Sequence, residues 1–435
     1  MSLFCYTSLR CMIYRIIVPG IALNTYVIVD PTTRRAAVID PSRAIQPILK
    51  IAAKADAQIV AILETHIHAD FISGSEDLSA ALENKAAVYR SSEGSAVGNV
   101  KDRQNIELGS YTLQAWHTPG HTPEHLMWIL LKEGNPTHAF TGDFLFVGSV
   151  GRPDLLGEQA IADLASQLYH SIFEVLPQLD ENIQVWPAHG AGSLCGKGIS
   201  TEASTTIKNE RIHNPYLQPL PKDEWVRFVL KDMPKAPAYF SRMKRINAAQ
   251  SLAEVAEAHN NAVIVDLRSK EEFAEKHIPG SINIGFGPSF IQWAPVLLPF
   301  DRPLMLIAND KPTINEASEA LHLVGMDAPI YGKLWKEEHE GPFDSLTVLG
   351  PAVVRHFPKG AVLLDVRSNN EVKETPVAGA LHIPLNELPS RVEEVPQDKP
   401  IIVMCHSGHR ASIGASFLQN RDFRQVSAIF GVMTN

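Results

Sequence analysis

The sequence predicts a multidomain α/β protein. Three observations carry that prediction: the length, the alternation of short β-branched runs with helical patterns in the first half, and an internal repeat in the second. A chain of 435 residues exceeds what one ordinary core organises; at roughly 150 residues per domain it holds about three. With 45% hydrophobic and 20% charged residues it has the balance of a soluble globular protein. No unbroken apolar run approaches the ~20 residues that span a bilayer, so no membrane segment is expected. The net charge of −9 is spread along the chain and leaves no basic stripe for nucleic acid.

From residue 15 to 150 the runs NTYVIVD, AAVID, QIVAILE, AAVYR, YTLQAWH, MWILL and HAFTGD alternate with turn signals and with the helical pattern AIQPILKIAAKA. This is the signature of a sheet-rich α/β domain. Helices are expected at IADLASQLYHSIFEVLPQL and near TEASTTIKNERIHN, before a proline-dense linker or packed strap at about 214 to 245. The four cysteines are too few for a disulfide framework and favour a reduced, cytoplasmic setting. The start, MSLFCYTSLRCMIYRIIVPG, lacks a continuous apolar core followed by a small-residue cleavage site. Residues 1 to 11, with Cys5 and Cys11, read as a frayed extension.

In the second half, AVIVDLRSKEEFAEKHIPGSINI (262 to 284) aligns with AVLLDVRSNNEVKETPVAGALHI (361 to 383) at a constant offset of 99. Asp266 matches Asp365, Arg268 matches Arg367 and Gly280 matches Gly379. PLMLIAND (303 to 310) then matches PIIVMCHS (400 to 407) at an offset of 97. Two copies of one strand, helix, strand, loop, helix unit are expected. The domains predicted are 1 to 245, 246 to 345 and 346 to 435, with room for only a short final helix after the last strand.

Chemistry concentrates in four motifs of the first domain: THIHADF with His66, His68 and Asp70; HTPGHTPEH with His117, His121 and His125; TGD with Asp143; and PAH with His189. The last three follow predicted strands, where an α/β scaffold projects functional groups. Imidazoles and carboxylates in that order point to a metal centre.

This series resembles the metallo-β-lactamase superfamily over about residues 12 to 240. THIHADF, HTPGHTPE, TGDFLFVGSVGRPDL and PAHGAGSLCGK together resemble most its persulfide dioxygenase group. The resemblance implies an αββα sandwich and one Fe(II) per chain, held by His66, His121 and Asp143. It leaves His68, Asp70 and His189 to hydrogen-bond substrate, O2 or ligands, and gives Arg152 the carboxylate of a glutathione-like substrate. Phe71 stands where hydrolytic relatives with two metals place an imidazole, which favours a single redox metal in a drier pocket. Cys195, six residues after His189, reads either as a sulfur carrier or as an inert buried thiol.

The second repeat carries Cys405 at the end of a predicted strand, in the loop CHSGHR closed by Arg410. A cysteine there, facing backbone N–H groups and a helix start, is a good nucleophile. The C-x-x-G-x-R loop, with D-V-R and A-G-A-x-x-I-P upstream, resembles the rhodanese sulfurtransferases. In the first copy Ala308 replaces the nucleophile and Thr313 the arginine, so that copy reads as a degenerate rhodanese.

The resemblances together imply oxidation of a small-molecule thiol persulfide by O2 to sulfite, followed by sulfur transfer from Cys405 to give thiosulfate, a reaction sequence suited to sulfide detoxification. Neither a membrane nor a nucleic acid is an expected partner, and a homo-oligomer is compatible with the sequence. Two other readings stay open: a zinc-dependent thioester hydrolase of the glyoxalase II kind with a rhodanese appendage, and a sulfur-relay or protein-binding rhodanese module.

Overall fold

In the first half of the chain the β-branched runs assemble into two six-stranded sheets. The structure, a computed structural model, describes residues 2–8, 11–92, 98–233, 235–249, 262–335 and 341–432. It divides into two compact units, Met1–Ala253 and Glu254–Asn435. Among the described residues no helix is long and apolar enough to cross a membrane.

The first sheet holds β1 (Ser2–Ser8), β2 (Cys11–Val18), β3 (Leu23–Asp30), β4 (Arg35–Ile39), β5 (Gln58–Leu63) and β6 (Ala87–Tyr89), in chain order. β1 to β4 are antiparallel neighbours, whereas β5 and β6 join in parallel through the crossover helices α1 (Gln46–Lys54) and α2 (Ser75–Ala81). Residues 2–8 are therefore not frayed. They pair with β2 from Ser2 opposite Ile17 to Ser8 opposite Cys11, and satisfy the backbone groups of an edge that β2 would otherwise leave open.

The second sheet runs in the order β14-β13-β10-β9-β8-β7. Its strands are β7 (Asn105–Leu108), β8 (Tyr111–His117), β9 (Leu126–Lys132), β10 (Asn135–Gly142), β13 (Gln184–Pro187) and β14 (Thr205–Thr206). A small hairpin of β11 (Leu145–Phe146) and β12 (Ser149–Val150) follows β10. Between the sheets lie Tyr26, Ile28, Leu63, Leu113, Trp128 and Phe140. Ile48, Ile51 and Leu78 of α1 and α2 cover the outer face of the first sheet. The second sheet is covered by α3 (Glu158–His170) and α5 (Lys222–Leu230), through Leu164, Ala165, Leu168, Trp225 and Val229. The unit is an αββα sandwich, and burial on both faces explains why every residue of β3 is buried.

The proline-dense segment is a packed strap. After α4 (Ile207–His213), Trp225 of α5 is fully buried and its indole donates to the carbonyl of Tyr216 at 2.7 Å. Next comes α6 (Phe240–Ala249), whose Phe240, Met243 and Ile246 are buried within the first unit.

The second unit contains two parallel sheets, one per repeat. The first copy has the order β16-β15-β17-β18, from β15 (Val263–Asp266), β16 (Ile282–Asn283), β17 (Leu304–Ala308) and β18 (Ile330–Leu334), with α7 (Lys270–Glu275), α8 (Phe290–Leu297) and α9 (Lys311–Leu323). The second has β19-β23-β22-β20-β21, from β19 (Thr347–Leu349), β20 (Val362–Asp365), β21 (Leu381–His382), β22 (Ile401–Met404) and β23 (Val426–Ile429), with α10 (Asn369–Glu374), α11 (Leu388–Arg391) and α12 (His409–Gln419). Each copy forks its arginine onto its aspartate, Arg268 on Asp266 and Arg367 on Asp365, and opens the next helix with a capping box, Ser269/Glu272 and Ser368/Glu371. The copies also join: Ser416 accepts from the Asn283 amide at 2.9 Å and Ser412 donates to the Asn283 side chain at 2.7 Å. The expected final helix falls where residues 433–435 lie outside the described residues.

Candidate metal centre and cysteine loop

Three buried atoms without hydrogen-bond partners define the centre of the first unit: His66 Nε2, His121 Nε2 and Asp143 Oδ2. All three donors lie within 4.8 Å of one another, and the carboxylate oxygen is 3.7 Å from His66 Nε2 and 3.4 Å from His121 Nε2. Elsewhere in a protein interior such groups are paired. Here the surrounding chain fixes them bare. Thr65 gives its one hydroxyl proton to Asp40 Oδ2 at 2.8 Å, so it accepts from His66 Nδ1 at 2.9 Å and leaves Nε2 as a lone pair. His121 Nδ1 donates to the carbonyl of Arg152 at 2.9 Å, with the same result. A set of two imidazole lone pairs and one carboxylate oxygen, buried and unpartnered, fits a transition-metal ion.

The other carboxylate oxygen of Asp143 accepts from His189 Nδ1 at 2.7 Å, and His189 Nε2 lies 2.9 Å from Asp70 Oδ2. Burial opposes the charge on His189, but Asp143 and Asp70 hold its imidazole well above its ordinary value. Burial likewise opposes the charge on Asp143, yet His189 keeps that carboxyl well below the usual range. Burial, opposed by Asp143 and assisted by the charge of Lys244, holds His121 down to about 4, so its imidazole is neutral at ordinary pH. His68 rests 3.2 Å from Asp40 and against the ring of Phe71, centroids 4.4 Å apart. Phe71 is fully buried and sets an apolar ring against His68.

His125, quoted in the second motif but given no role from sequence, positions Asp143. Its Nδ1 meets Thr118 at 2.9 Å and its Nε2 accepts from the Asp143 amide at 3.1 Å. Gly142 makes that approach possible, since a Cβ there would come 2.6 Å from His125 Nε2 and its φ is +54°. His117 turns away to the Pro123 carbonyl. Asp40 and Thr65 were invisible as a pair, because 25 residues separate them.

Arg152 reaches the site through its main chain. Its guanidinium is buried, forks onto Asp154 at 2.6 and 2.7 Å, and donates to the Leu194 carbonyl. Cys195 lies with Asp70 and His189 in a second buried group of potential ligands. Burial first, then the carboxylates of Asp70 and Asp143, push its thiol well above its ordinary value.

In the second unit, β22 delivers Cys405 to a loop that turns at Gly408, φ +95°, and the Gly408 amide donates to the cysteine sulfur at 3.1 Å. A Cβ at Gly408 would meet the backbone of Phe430 at 2.9 Å. Arg410 forks onto Glu371 at 2.7 and 2.6 Å, which holds that carboxyl down to about 2. In the first copy Ala308 ends β17, and Asn309 donates to Glu272 at 2.9 Å where the second copy has Arg410 on Glu371. Thr313 lies within α9, its amide capped by Asp310.

A model of the metallo-beta-lactamase superfamily matches residues 19–189 and one of the rhodanese-like domain matches residues 249–331 and 352–433. The mitochondrial persulfide dioxygenase ETHE1 of Bos taurus is 32% identical over 227 residues, spanning 50% of this chain and 80% of that protein. The chain belongs to the metallo-β-lactamase superfamily. Its second unit adds two rhodanese-like domains to that fold. Within the superfamily it is also 32% identical to the Homo sapiens ETHE1 persulfide dioxygenase, over 47% of this chain and 75% of that one. A hydroxyacylglutathione hydrolase of Gloeobacter violaceus is 32% identical over 38% of this chain and 62% of its own length. The crystal structure of a metallo-beta-lactamase from Staphylococcus aureus subsp. aureus COL is 32% identical, with a TM-score of 0.68, covering 74% of this chain and 99% of that one.

Proposed function

We propose that the first unit oxidises a low-molecular-weight thiol persulfide with O2 at one Fe(II) held by His66, His121 and Asp143, and that Cys405 transfers sulfane sulfur. The observation that carries this reading is the trio of buried, unpartnered donors with their tautomers fixed from behind. When bound, iron on two imidazoles and one carboxylate supplies open positions and redox capacity for O2 chemistry. The chain's own residues do the rest. Thr65 and the Arg152 carbonyl orient the imidazoles, and His189, between Asp143 and Asp70, keeps the ligand carboxylate ionised. Phe71, fully buried with its ring against His68, keeps water from that side of the pocket.

The overall oxidation balances as RSSH + O2 + H2O giving RSH and sulfurous acid, which ionises to sulfite. Cys405 as thiolate attacks the outer sulfur of a second persulfide, releasing the thiol. Sulfite then takes that sulfur, forming thiosulfate and restoring the thiolate. Cys195, buried beside two carboxylates, is read as a protonated thiol outside this relay. A binuclear hydrolase would need a second ion at Asp70, His189 and Cys195, where Phe71 supplies no imidazole.

Metal analysis of the purified chain, paired with O2 uptake on glutathione persulfide, tests the reading. One iron per chain and stoichiometric O2 consumption are expected. Two zinc-type ions with thioesterase activity and no O2 uptake would replace it with the hydrolase.

A further inference from the structure

The strap helix α6 lies against the metal loop. Asn247 donates to the carbonyls of His68 and Phe71, both at 2.8 Å, and its side-chain oxygen accepts from the Ser73 amide at 3.0 Å. Three residues earlier on α6, and so on the same face, is Lys244. Its ammonium is shielded from solvent and makes no hydrogen bond. Asn247, one turn further on, contacts the metal loop, so Lys244 faces that side of α6; burial lowers the pKa of its amine, opposed by the charge of Glu124. Glu124 does not satisfy it: one of its oxygens accepts from the Ile67 amide at 2.9 Å and none hydrogen-bonds the lysine. Arg152 is already forked on Asp154. A buried cation without a partner is costly to hold and is retained where an anion comes to it.

We infer that Lys244 receives a carboxylate of the substrate, so that the pocket selects thiol persulfides bearing a carboxylate. This rests on the persulfide reading above and deepens it. Asn247 pins α6 and thereby positions the ammonium, so specificity comes from a helix that carries none of the metal motifs.

The full-length, metal-loaded protein with Lys244→Met tests it. With glutathione persulfide, KM for O2 uptake should rise about tenfold or more at nearly unchanged kcat, the loss expected for one charge-assisted hydrogen bond. The uncharged persulfide of 2-mercaptoethanol should show no change, and Lys244→Arg should recover most of the loss. Metal content and thermal unfolding serve as controls; if Lys244→Met does not fold, Lys244→Gln carries the same comparison. Equal losses for the charged and uncharged persulfides, or no change in either, would overturn the inference. A second arm separates it from the functional reading: binding of the unreactive S-methylglutathione should weaken about tenfold in the variant even if no persulfide is oxidised. Unaltered binding there would also overturn it.

Discussion

The metal pocket and the cysteine loop build reactive centres by opposite means. The pocket gathers side chains from the ends of β5, β10 and β13 and from the turn between β8 and β9; His121 and Asp143 are aimed by partners distant in sequence, and His66 by Thr65, which is itself held by the distant Asp40. The loop is one continuous turn between β22 and α12, and its geometry is set by backbone, with Gly408 and an amide pointing at sulfur. The first repeat, with Ala308 and Thr313 in place of Cys405 and Arg410, sharpens the contrast. It keeps the aspartate–arginine fork and the capping box but lacks the cysteine, the loop arginine and the loop glycine, so the fork and the cap persist without the loop chemistry. In the pocket scaffold and chemistry are not separable, because the groups that orient the donors are also those that set their tautomers.

That contrast predicts how each centre fails. His121→Ala removes a donor that nothing else replaces, and O2 uptake should fall at least about 100-fold. Sulfur transfer measured at Cys405 with thiosulfate and cyanide should stay at the parent rate. Parallel loss of both activities in a folded variant would show that the centres are not independent. A smaller effect should follow from Thr65→Val, which keeps the ligands but removes the oxygen that accepts from His66 Nδ1. Iron affinity or O2 uptake should drop about 10- to 100-fold, read by chelator competition and oxygen electrode. An unchanged affinity would mean that the imidazole is oriented by packing alone.

The same contrast explains what could be read in the sequence. Alternating apolar strands and the repeat at a fixed offset are local patterns, and they are borne out as the αββα sandwich and the paired rhodanese-like domains. His66, His121 and Asp143 are visible because each falls in a short motif at a strand end, and they do converge. Contacts across the chain are not visible: Asn247 meets His68 from 179 residues away, and Lys244 belongs to no motif. For Arg152 and Arg410 only the positive charge could be read, not the carboxylates of Asp154 and Glu371 that take it up in the fold. β1 escaped notice because an edge strand with one pairing partner needs only weak alternation.

The most direct test of a two-centre relay is Cys405→Ser in the full-length protein. Serine preserves the size of the side chain next to the Gly408 amide, but it cannot hold sulfane sulfur or serve as an anionic nucleophile at neutral pH. Given limiting glutathione persulfide and O2, with early quenching to exclude spontaneous reaction of sulfite with persulfide, the variant should consume oxygen at the parent rate and accumulate sulfite where the parent makes thiosulfate. Thiosulfate formed at the parent rate, or collapse of oxygen uptake, would contradict the account.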